Sequence, residues 1–324
     1  MVSNRDHGGN LEAARALYGR DDWIDLSTGI NRHPWPVPAL PHDAWTALPT
    51  ADASRALVQA AARAFGAVPD TLVPLAGAQA AIQLYPRLRR PGLARVLSPT
   101  YNEHAAALSV EGWQVEPVRD PGALAGADLA VVVNPNNPDG RQLSADALRA
   151  LSLTVGLLVV DESFADPDPR QSVAASASDR LLVLRSFGKF YGLAGLRLGF
   201  ALTGPDLAER LRTMAGPWSV SGPALAIGTQ ALEDHAWADA TRLRLTQDCA
   251  RLDALAQAAG WSLVGGCALF RTYATPSAAL AQAQLAQQAI WSRVFPYSET
   301  WLRLGLPHGA AEWDRITITL TGTP

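Results

Sequence analysis

The hydrophobic positions of the chain predict strands and helices that alternate along its middle part. Four apolar runs have the length and composition of buried strands: residues 72–75, 129–133, 157–160 and 181–184. Helical spacing of apolar residues marks 53–65, which stops at Gly66, and 144–151. This alternation predicts an α/β fold with a mostly parallel sheet, in which ligands bind outside the carboxyl ends of the strands.

Beyond Phe200 the pattern changes to long alanine- and leucine-rich helices, followed by short strands. Helices are predicted at 204–214, 223–259 and 278–289, and short strands at 261–264, 268–273 and 300–306. A proline-rich stretch at 34–41 separates the first residues from the rest of the chain. We therefore predict an N-terminal arm (1–45) that packs on the small domain and the active site, a large domain (46–222) and a smaller α+β domain (223–324).

The composition is that of a globular protein that acts on small molecules. Hydrophobic residues make up 48% and charged residues 18% of the 324 residues, and the net charge of −3 disfavours nucleic acid as a partner. Cys249 and Cys267 are the only cysteines, too few for a disulfide framework. Because neither a signal peptide nor a run long enough to span a membrane is found, we expect a soluble, cytoplasmic protein.

Lys189 follows one of the predicted strands in a segment of small residues, Ser186-Phe187-Gly188-Lys189. A lysine that is partly desolvated at a strand end can be neutral and form a Schiff base with an aldehyde. The alternative is an ordinary surface lysine in a glycine-rich loop. The other strand ends favour the chemical interpretation, because they carry the groups that such a lysine needs.

Asn137 and Asp161 also follow buried strands, so we expect both side chains at the same edge of the sheet as Lys189. A carboxylate such as that of Asp161 needs a cationic partner or several donors there, and a helix cap or a structural ion pair is the alternative. Tyr101, at the end of a further strand, can stack on a flat cofactor or fill the core. Arg303 lies in an apolar strand, which indicates an internal ion pair or an anionic ligand.

Two glycine-containing segments are predicted to bind anions. Gly77 opens a helix with Ala78 and Gln79, whose free backbone N–H groups suit a phosphate. Near the N-terminus, His7-Gly8-Gly9 precedes a helix for which Asn10 is a plausible N-cap. A flexible terminus with an ordinary cap is the alternative for this second segment.

Together these residues resemble the site of the fold type I pyridoxal-phosphate enzymes, the superfamily of aspartate aminotransferase. The resemblance rests on Asn134-Pro135-Asn136-Asn137-Pro138, on Asp161-Glu162 and on Ser186-x-x-Lys189 with the later Arg197, in this order. It implies the cofactor pyridoxal 5'-phosphate, with Lys189 as its Schiff-base lysine, Asp161 on the ring nitrogen, Asn137 on the phenolic oxygen and Tyr101 stacked on the ring. It further implies that the phosphate is held by the glycine-opened helix and two later residues: Gly77, Ala78, Gln79, Ser186 and Arg197.

Within the superfamily, the segments 7–10, 27–31 and 161–164 are similar to those of the threonine-phosphate decarboxylase family of cobalamin biosynthesis. The resemblance implies decarboxylation of L-threonine O-3-phosphate to (R)-1-amino-2-propanol O-2-phosphate. Substrate would contact His7, Gly8, Gly9, Asn31 and Arg303, the last through the substrate carboxylate. A homodimer is also implied. The alternatives are an aminotransferase of the histidinol-phosphate type and a pyridoxal-phosphate-binding protein without turnover.

The chain departs from the pattern of the related aminotransferases at two positions. Leu48 stands where they usually have a tyrosine that reaches the partner subunit's cofactor phosphate. Phe164 stands where they usually have a tyrosine that bonds the phenolic oxygen of the cofactor. The second departure leaves that oxygen to Asn137 alone.

Overall fold

The structure is a computed structural model and describes residues 8–322. Its α-helices are α1 (Leu11–Tyr18), α2 (Asp43–Thr46), α3 (Ala51–Phe65), α4 (Ala78–Leu84), α5 (Glu103–Val110), α6 (Ala145–Ser152), α7 (Phe187–Phe190), α8 (Pro205–Ala215), α9 (Gly222–Glu233), α10 (His235–Ala258), α11 (Ala278–Gln287) and α12 (Gly309–Thr321). Its strands are β1 (Ile24–Asp25), β2 (Leu72–Leu75), β3 (Leu93–Leu97), β4 (Gln114–Val118), β5 (Leu129–Val133), β6 (Leu157–Asp161), β7 (Leu181–Ser186), β8 (Gly199–Leu202), β9 (Ser262–Cys267), β10 (Phe270–Ala274), β11 (Ile290–Trp291), β12 (Arg293–Phe295) and β13 (Ser298–Gly305).

The described chain divides into two compact units that are not consecutive in sequence. The first contains residues 8–33, 138–141 and 239–322, and the second contains 34–137 and 142–238. These units begin and end at other residues than the domains proposed from the sequence, whose boundaries at 45/46 and 222/223 stay a prediction. Hydrophobic periodicity finds the elements, but it carries no information on which distant segments share a core.

A seven-stranded sheet forms the second unit, with the order β2-β8-β7-β6-β5-β3-β4 among the described residues. The strands from β4 to β7 across the sheet are parallel, whereas β8 is antiparallel to both β7 and β2. Every residue of β5 and β6 is buried, as their continuous apolar sequences predicted. The predicted α/β fold with a mostly parallel sheet is confirmed.

The first unit contains two smaller sheets in its described part. Strands β12, β13, β10 and β9 form an antiparallel sheet, and β1 pairs in parallel with β11. The N-terminal helix α1 begins after Asn10, whose Oδ1 accepts the backbone N–H of Ala13 at 3.1 Å. Asn10 is therefore the N-cap that the sequence predicted.

The long helix predicted at 223–259 is wrong, because the chain breaks there between α9 and α10. Asp234 lies between the two helices, and its Oδ1 accepts the backbone N–H of Trp237 at 3.0 Å. Its other carboxylate oxygen accepts the indole N–H of Trp35 at 3.1 Å. An aspartate that caps a new helix stops the preceding one, although the apolar spacing continues through it. Within residues 8–322, no helix is both long and apolar enough to cross a membrane.

Buried ion pairs fix the ends of β6 and β7. Arg185 donates to Glu162 at 2.8 Å and to Asp166, and all three side chains are buried. Glu162 also accepts the hydroxyl of Ser172 and the backbone N–H of Val173, both at 2.6 Å. The two acidic residues at this strand end therefore have different roles. Glu162 stabilises the fold, while Asp161 lines a cavity.

We predict that Arg185→Met destabilises the fold by about 3–5 kcal/mol, because it leaves two carboxylates buried without their cation. The change is measured as the free energy of unfolding in urea. Arg170→Met is the control, since Arg170 pairs with Asp168 while its side chain is 83% exposed, and it should change stability by less than about 1 kcal/mol. Equal losses in both variants would contradict this account.

Candidate active site

A cavity of about 180 Å³ lies at the carboxyl ends of β5, β6 and β7, within the second unit. Its lining includes all nine residues that the sequence proposed for a cofactor: Gly77, Ala78, Gln79, Tyr101, Asn137, Asp161, Ser186, Lys189 and Arg197. Parallel strands end at the same edge of a sheet, so residues far apart in sequence meet there.

Lys189 lies in the single turn of α7, directly after β7. The side chain is half-buried, and its Nζ lies 5.7 Å from the centre of the Phe164 ring. Lys189 is also the only lysine in the 324-residue sequence, where every other strongly basic residue is arginine. Since arginine stays protonated and does not form Schiff bases, that chemistry has a single side-chain candidate here.

Asp161 lines the cavity and is surrounded by hydrogen-bond donors that stabilise its anionic form. Its Oδ1 accepts the backbone N–H of Ser163 at 2.9 Å and the Ser163 hydroxyl at 2.5 Å. Its Oδ2 lies 2.9 Å from Nε2 of His104. Burial by itself raises the pKa of Asp161, but the bonds from His104 and Ser163 outweigh it and bring this pKa below its usual value.

His104 is a site residue that the sequence reasoning missed. It is completely buried in α5, and its Nδ1 lies 3.2 Å from the hydroxyl of Tyr85. Burial raises the pKa of Tyr85 well above its usual value, so this hydroxyl keeps its proton. Local sequence holds no signal for His104, because Tyr101 lies before α5 begins and helical spacing does not relate the two residues.

Gly77 allows Arg197 to approach the start of α4. The backbone of Gly77 has φ +84°, and a Cβ at this position would lie 2.7 Å from Nη2 of Arg197. Gly199 has a similar role, since a Cβ there would lie 2.3 Å from the backbone nitrogen of Ala78. Glycine at both positions therefore brings a guanidinium group and backbone N–H groups together at one end of the cavity.

The asparagine-rich turn after β5 has both structural and cavity-facing members. Asn134 exchanges hydrogen bonds with the backbone of Leu143, at 3.1 and 2.8 Å. Asn136 accepts the hydroxyl of Thr100 at 2.6 Å and donates to the carbonyl of Pro99 at 2.9 Å. These bonds fix the turn and leave Asn137 as the asparagine that lines the cavity.

Tyr101 and Gln79 both line the cavity and are linked by a hydrogen bond. The Tyr101 hydroxyl donates to Oε1 of Gln79 at 3.3 Å, and Nε2 of Gln79 donates to Glu103 at 3.2 Å. The Tyr101 ring meets His104 edge-on, with 6.1 Å between ring centres. Tyr101 therefore lines the cavity while it also packs against the hydrophobic core.

Several of the residues predicted to bind the substrate lie in the first unit and contact Ser27. Arg303 donates to the Ser27 carbonyl at 2.6 Å, and the backbone N–H of Gly9 donates to the Ser27 hydroxyl at 2.7 Å. A Cβ on Gly8 would lie 2.4 Å from that carbonyl oxygen, so only glycine fits. His7 lies outside the described residues.

Arg303 is buried beside two aromatic rings, 5.2 Å from the centre of Phe270 and 6.0 Å from that of Phe295. Burial, followed by the charge of Arg293, lowers the pKa of Arg303 to about 10. Arg293 stands directly opposite Arg303 in the pairing of β12 with β13. Two neighbouring cations in a partly apolar setting favour an anionic ligand, and Arg293 was not identified from the sequence.

Comparison with known proteins identifies the family. The family model described as aminotransferase class I and II matches residues 21–317. The chain belongs to this family. Among curated proteins, a threonine-phosphate decarboxylase of Pseudomonas aeruginosa is 43% identical over 98% of this chain and 97% of its own length. A threonine-phosphate decarboxylase of Sinorhizobium is also 43% identical, with 97% of each chain covered.

A solved member of the fold confirms the architecture. Histidinol-phosphate aminotransferase from Sinorhizobium meliloti, in complex with pyridoxal-5'-phosphate, superposes with a TM-score of 0.85. It covers 99% of this chain and 95% of its own, at 21% identity. At this identity the likeness shows the fold of the aminotransferase family and leaves the reaction to other observations.

We predict that His104→Ala destabilises the protein at neutral pH by about 2–4 kcal/mol, because Asp161 and Tyr85 lose a buried partner. The lowered pKa of Asp161 contributes stability above its unfolded value of about 3.9, and this contribution is lost as the pH falls through the folded value. In the variant the His104 donor is absent, so Asp161 contributes less stability. The stability difference between wild type and variant should therefore narrow as the pH falls below about 4.

Urea unfolding over a pH series measures this difference. The control is His42→Ala, since His42 lies on the surface and should show no comparable effect at any pH. A difference for His104→Ala that stays constant with pH would indicate lost packing alone.

Proposed function

We propose that this protein decarboxylates L-threonine O-3-phosphate to (R)-1-amino-2-propanol O-2-phosphate with pyridoxal 5'-phosphate as its cofactor. The observation that carries the proposal is the 43% identity, over nearly the whole chain, to proteins named threonine-phosphate decarboxylase. We further propose that the reaction belongs to cobalamin biosynthesis and that the protein is a homodimer, as the resemblance implies. Leu48, at the position where relatives reach the partner subunit, is 66% exposed.

The residues around the cavity fit pyridoxal phosphate. Lys189 offers the one side-chain amine for the aldehyde, and the anionic Asp161 suits a protonated ring nitrogen. Gly77 leaves room for Arg197 at the start of α4, where a phosphate finds a cation and backbone donors. We assign Ala78, Gln79 and Ser186 to the same phosphate, Asn137 to the phenolic oxygen and Tyr101 to the ring face.

Bound pyridoxal phosphate supplies an electron sink for the carbanion that remains when a bond to the α-carbon breaks. Asp161 keeps the ring nitrogen protonated, because a carboxylate with a low pKa does not take that proton. Loss of carbon dioxide leaves the α-carbon one proton short, and Lys189 in its ammonium form would deliver that proton and become a neutral amine. Phe164 lies beside that amine, with its ring centre 5.7 Å from Nζ of Lys189.

The substrate has two anionic groups, and the first unit offers donors for both. We propose that Arg303 binds the carboxylate and that Gly8, Gly9, Asn31 and His7 bind the phosphate. The neighbouring charge of Arg293 and the buried position of Arg303 support an anion there. The oxygens of a phosphate ester dianion accept hydrogen bonds, so they suit N–H donors.

The test is incubation of the purified protein with pyridoxal phosphate and L-threonine O-3-phosphate, without any keto acid. We expect carbon dioxide and aminopropanol phosphate in equal amounts, measured by coupled assay and mass spectrometry. Lys189→Ala should form neither product. Because Lys189 is the only lysine, borohydride reduction should attach the cofactor to the peptide that contains residue 189.

Activity that requires 2-oxoglutarate and releases no carbon dioxide would establish an aminotransferase instead. A protein that binds the cofactor, yet leaves both phosphothreonine and histidinol phosphate unchanged, would be a binding protein without turnover. Either outcome would overturn the proposed reaction.

We predict that Gly77→Ala weakens pyridoxal-phosphate binding by at least about tenfold, because the new methyl group displaces the Arg197 guanidinium. Gly112→Ala is the matched control, since Gly112 has a similar φ of +83° with nothing near its added Cβ. Both variants should lose about 1 kcal/mol of stability from backbone strain. Equilibrium titration of each apo variant with pyridoxal phosphate gives its dissociation constant. Equal dissociation constants for the two variants would contradict the assignment of Arg197 to the cofactor phosphate.

A further inference from the structure

The hydroxyl of Tyr85 is buried in the core of the second unit and has one hydrogen-bond partner among the residues that the structure describes. The side chain is completely buried, and its oxygen lies 3.2 Å from Nδ1 of His104. Burial, together with the negative charge of Asp161, raises the pKa of Tyr85 well above its usual value, so the hydroxyl keeps its proton. A buried hydroxyl proton without an acceptor is costly. The proton is therefore donated to Nδ1 of His104.

The direction of this hydrogen bond fixes the number of protons on His104. A ring nitrogen that accepts a hydrogen bond carries no proton, so Nδ1 is unprotonated. The other ring nitrogen, Nε2, lies 2.9 Å from Oδ2 of Asp161, and an ionised carboxylate can only accept. Nε2 must therefore carry the proton. At neutral pH His104 is thus a neutral imidazole, an assignment that follows from the partners on its two sides.

A neutral His104 gives Asp161 a hydrogen bond without giving it a positive charge. The same is true of Ser163, whose backbone N–H and hydroxyl both donate to Oδ1 of Asp161. These three donors stabilise the carboxylate and leave its charge in place. A doubly protonated His104 would instead form an ion pair with Asp161, and the carboxylate would then attract any further cation less strongly.

We propose that Tyr85 is a positioning residue for the cofactor: by donating to Nδ1 it holds His104 as a neutral imidazole, so that the negative charge of Asp161 stays available to a protonated ring nitrogen. This inference rests on the proposed function, in which Asp161 meets that nitrogen. Tyr85 itself touches neither cofactor nor substrate in this account. It acts through the proton count of His104, two hydrogen bonds away from the ring.

NMR of the apo protein, labelled with ¹⁵N in its six histidines, tests the proton count directly. The two nitrogens of a neutral imidazole have well-separated chemical shifts, whereas those of an imidazolium have similar ones. At neutral pH we expect one protonated and one unprotonated nitrogen for His104. Its resonances are assigned by their absence from the spectrum of His104→Gln. Two protonated nitrogens on His104 in the wild-type protein would overturn the proposal.

Tyr85→Phe removes the hydroxyl and keeps the ring. The lone pair of Nδ1 then loses its hydrogen bond, so we expect part of His104 in this variant to carry a second proton at neutral pH. Tyr273→Phe is the matched control, because Tyr273 is another buried tyrosine, whose hydroxyl donates to Oδ1 of Asp253 at 2.7 Å in the first unit. The control should leave the His104 resonances unchanged. If His104 has the same single proton in Tyr85→Phe as in wild type, Tyr85 does not set its protonation and the proposal fails.

Titration of the apo variants with pyridoxal phosphate tests whether Asp161 needs an uncharged donor. Glutamine offers an N–H donor without a charge, and leucine offers neither. We expect His104→Gln to bind the cofactor at least about fivefold more tightly than His104→Leu, and Tyr85→Phe to bind it about threefold more weakly than Tyr273→Phe. Affinities that follow the melting temperature across all four variants would indicate a structural role alone and overturn the proposal.

These measurements keep the inference separate from the proposed reaction, because none of them needs turnover. If His104 has a single proton in wild type and gains a second in Tyr85→Phe, but no carbon dioxide forms from phosphothreonine, the role of Tyr85 stands and the decarboxylation fails. If carbon dioxide forms while His104 is doubly protonated in wild type, the reaction stands and the role of Tyr85 fails.

Discussion

The candidate site depends on keeping the charge of Asp161 where burial opposes it. An ionised carboxylate away from water is costly, so it persists only with several donors around it. Ser163 supplies two of them from the residue after next, and His104 supplies the third from α5. The hydroxyl of Tyr85 then supports the far side of His104. The chemistry proposed for Asp161 therefore relies on Ser163, which also lines the cavity, and on His104 and Tyr85, which are buried behind it.

A division between structural and cavity-facing residues is also seen at the other strand ends on the carboxyl edge of the sheet. Consecutive strand ends deliver Asn137, Asp161 and Lys189, and at each one a neighbour takes a structural task. Glu162 anchors Arg185, and Asn136 anchors the turn before Asn137. Side chains that are adjacent in sequence point to different sides of a strand end, so one of each pair is available for the cavity.

Most of the strands could be predicted, and so could the nine residues that line the cavity, because both depend on local sequence. A buried parallel strand is a continuous apolar run, and the polar residue after it marks the ligand edge. His104 and Arg293 could not be found this way, since their importance comes from partners on other strands and helices. The break at Asp234 could not be predicted, because the apolar spacing continues through it. The division into units of non-consecutive segments could not be predicted either, because contacts between distant segments leave no periodic signal in the sequence.

The two units have different parts in the proposed chemistry. The residues proposed for the cofactor lie in the second unit and would suit an aminotransferase and a decarboxylase alike, and with a single lysine the same amine must serve in either reaction. The choice between them is decided by which bond to the α-carbon is aligned for cleavage, and that alignment follows from where the substrate's anionic groups are held. Arg303 and Asn31 are the buried residues proposed to bind those groups, and hydrogen bonds fix the orientation of both. Arg303 donates to the Ser27 carbonyl, and Oδ1 of Asn31 accepts a hydrogen bond from Arg244. Under this proposal, the choice between decarboxylation and transamination depends on how rigidly the first unit holds Arg303 and Asn31.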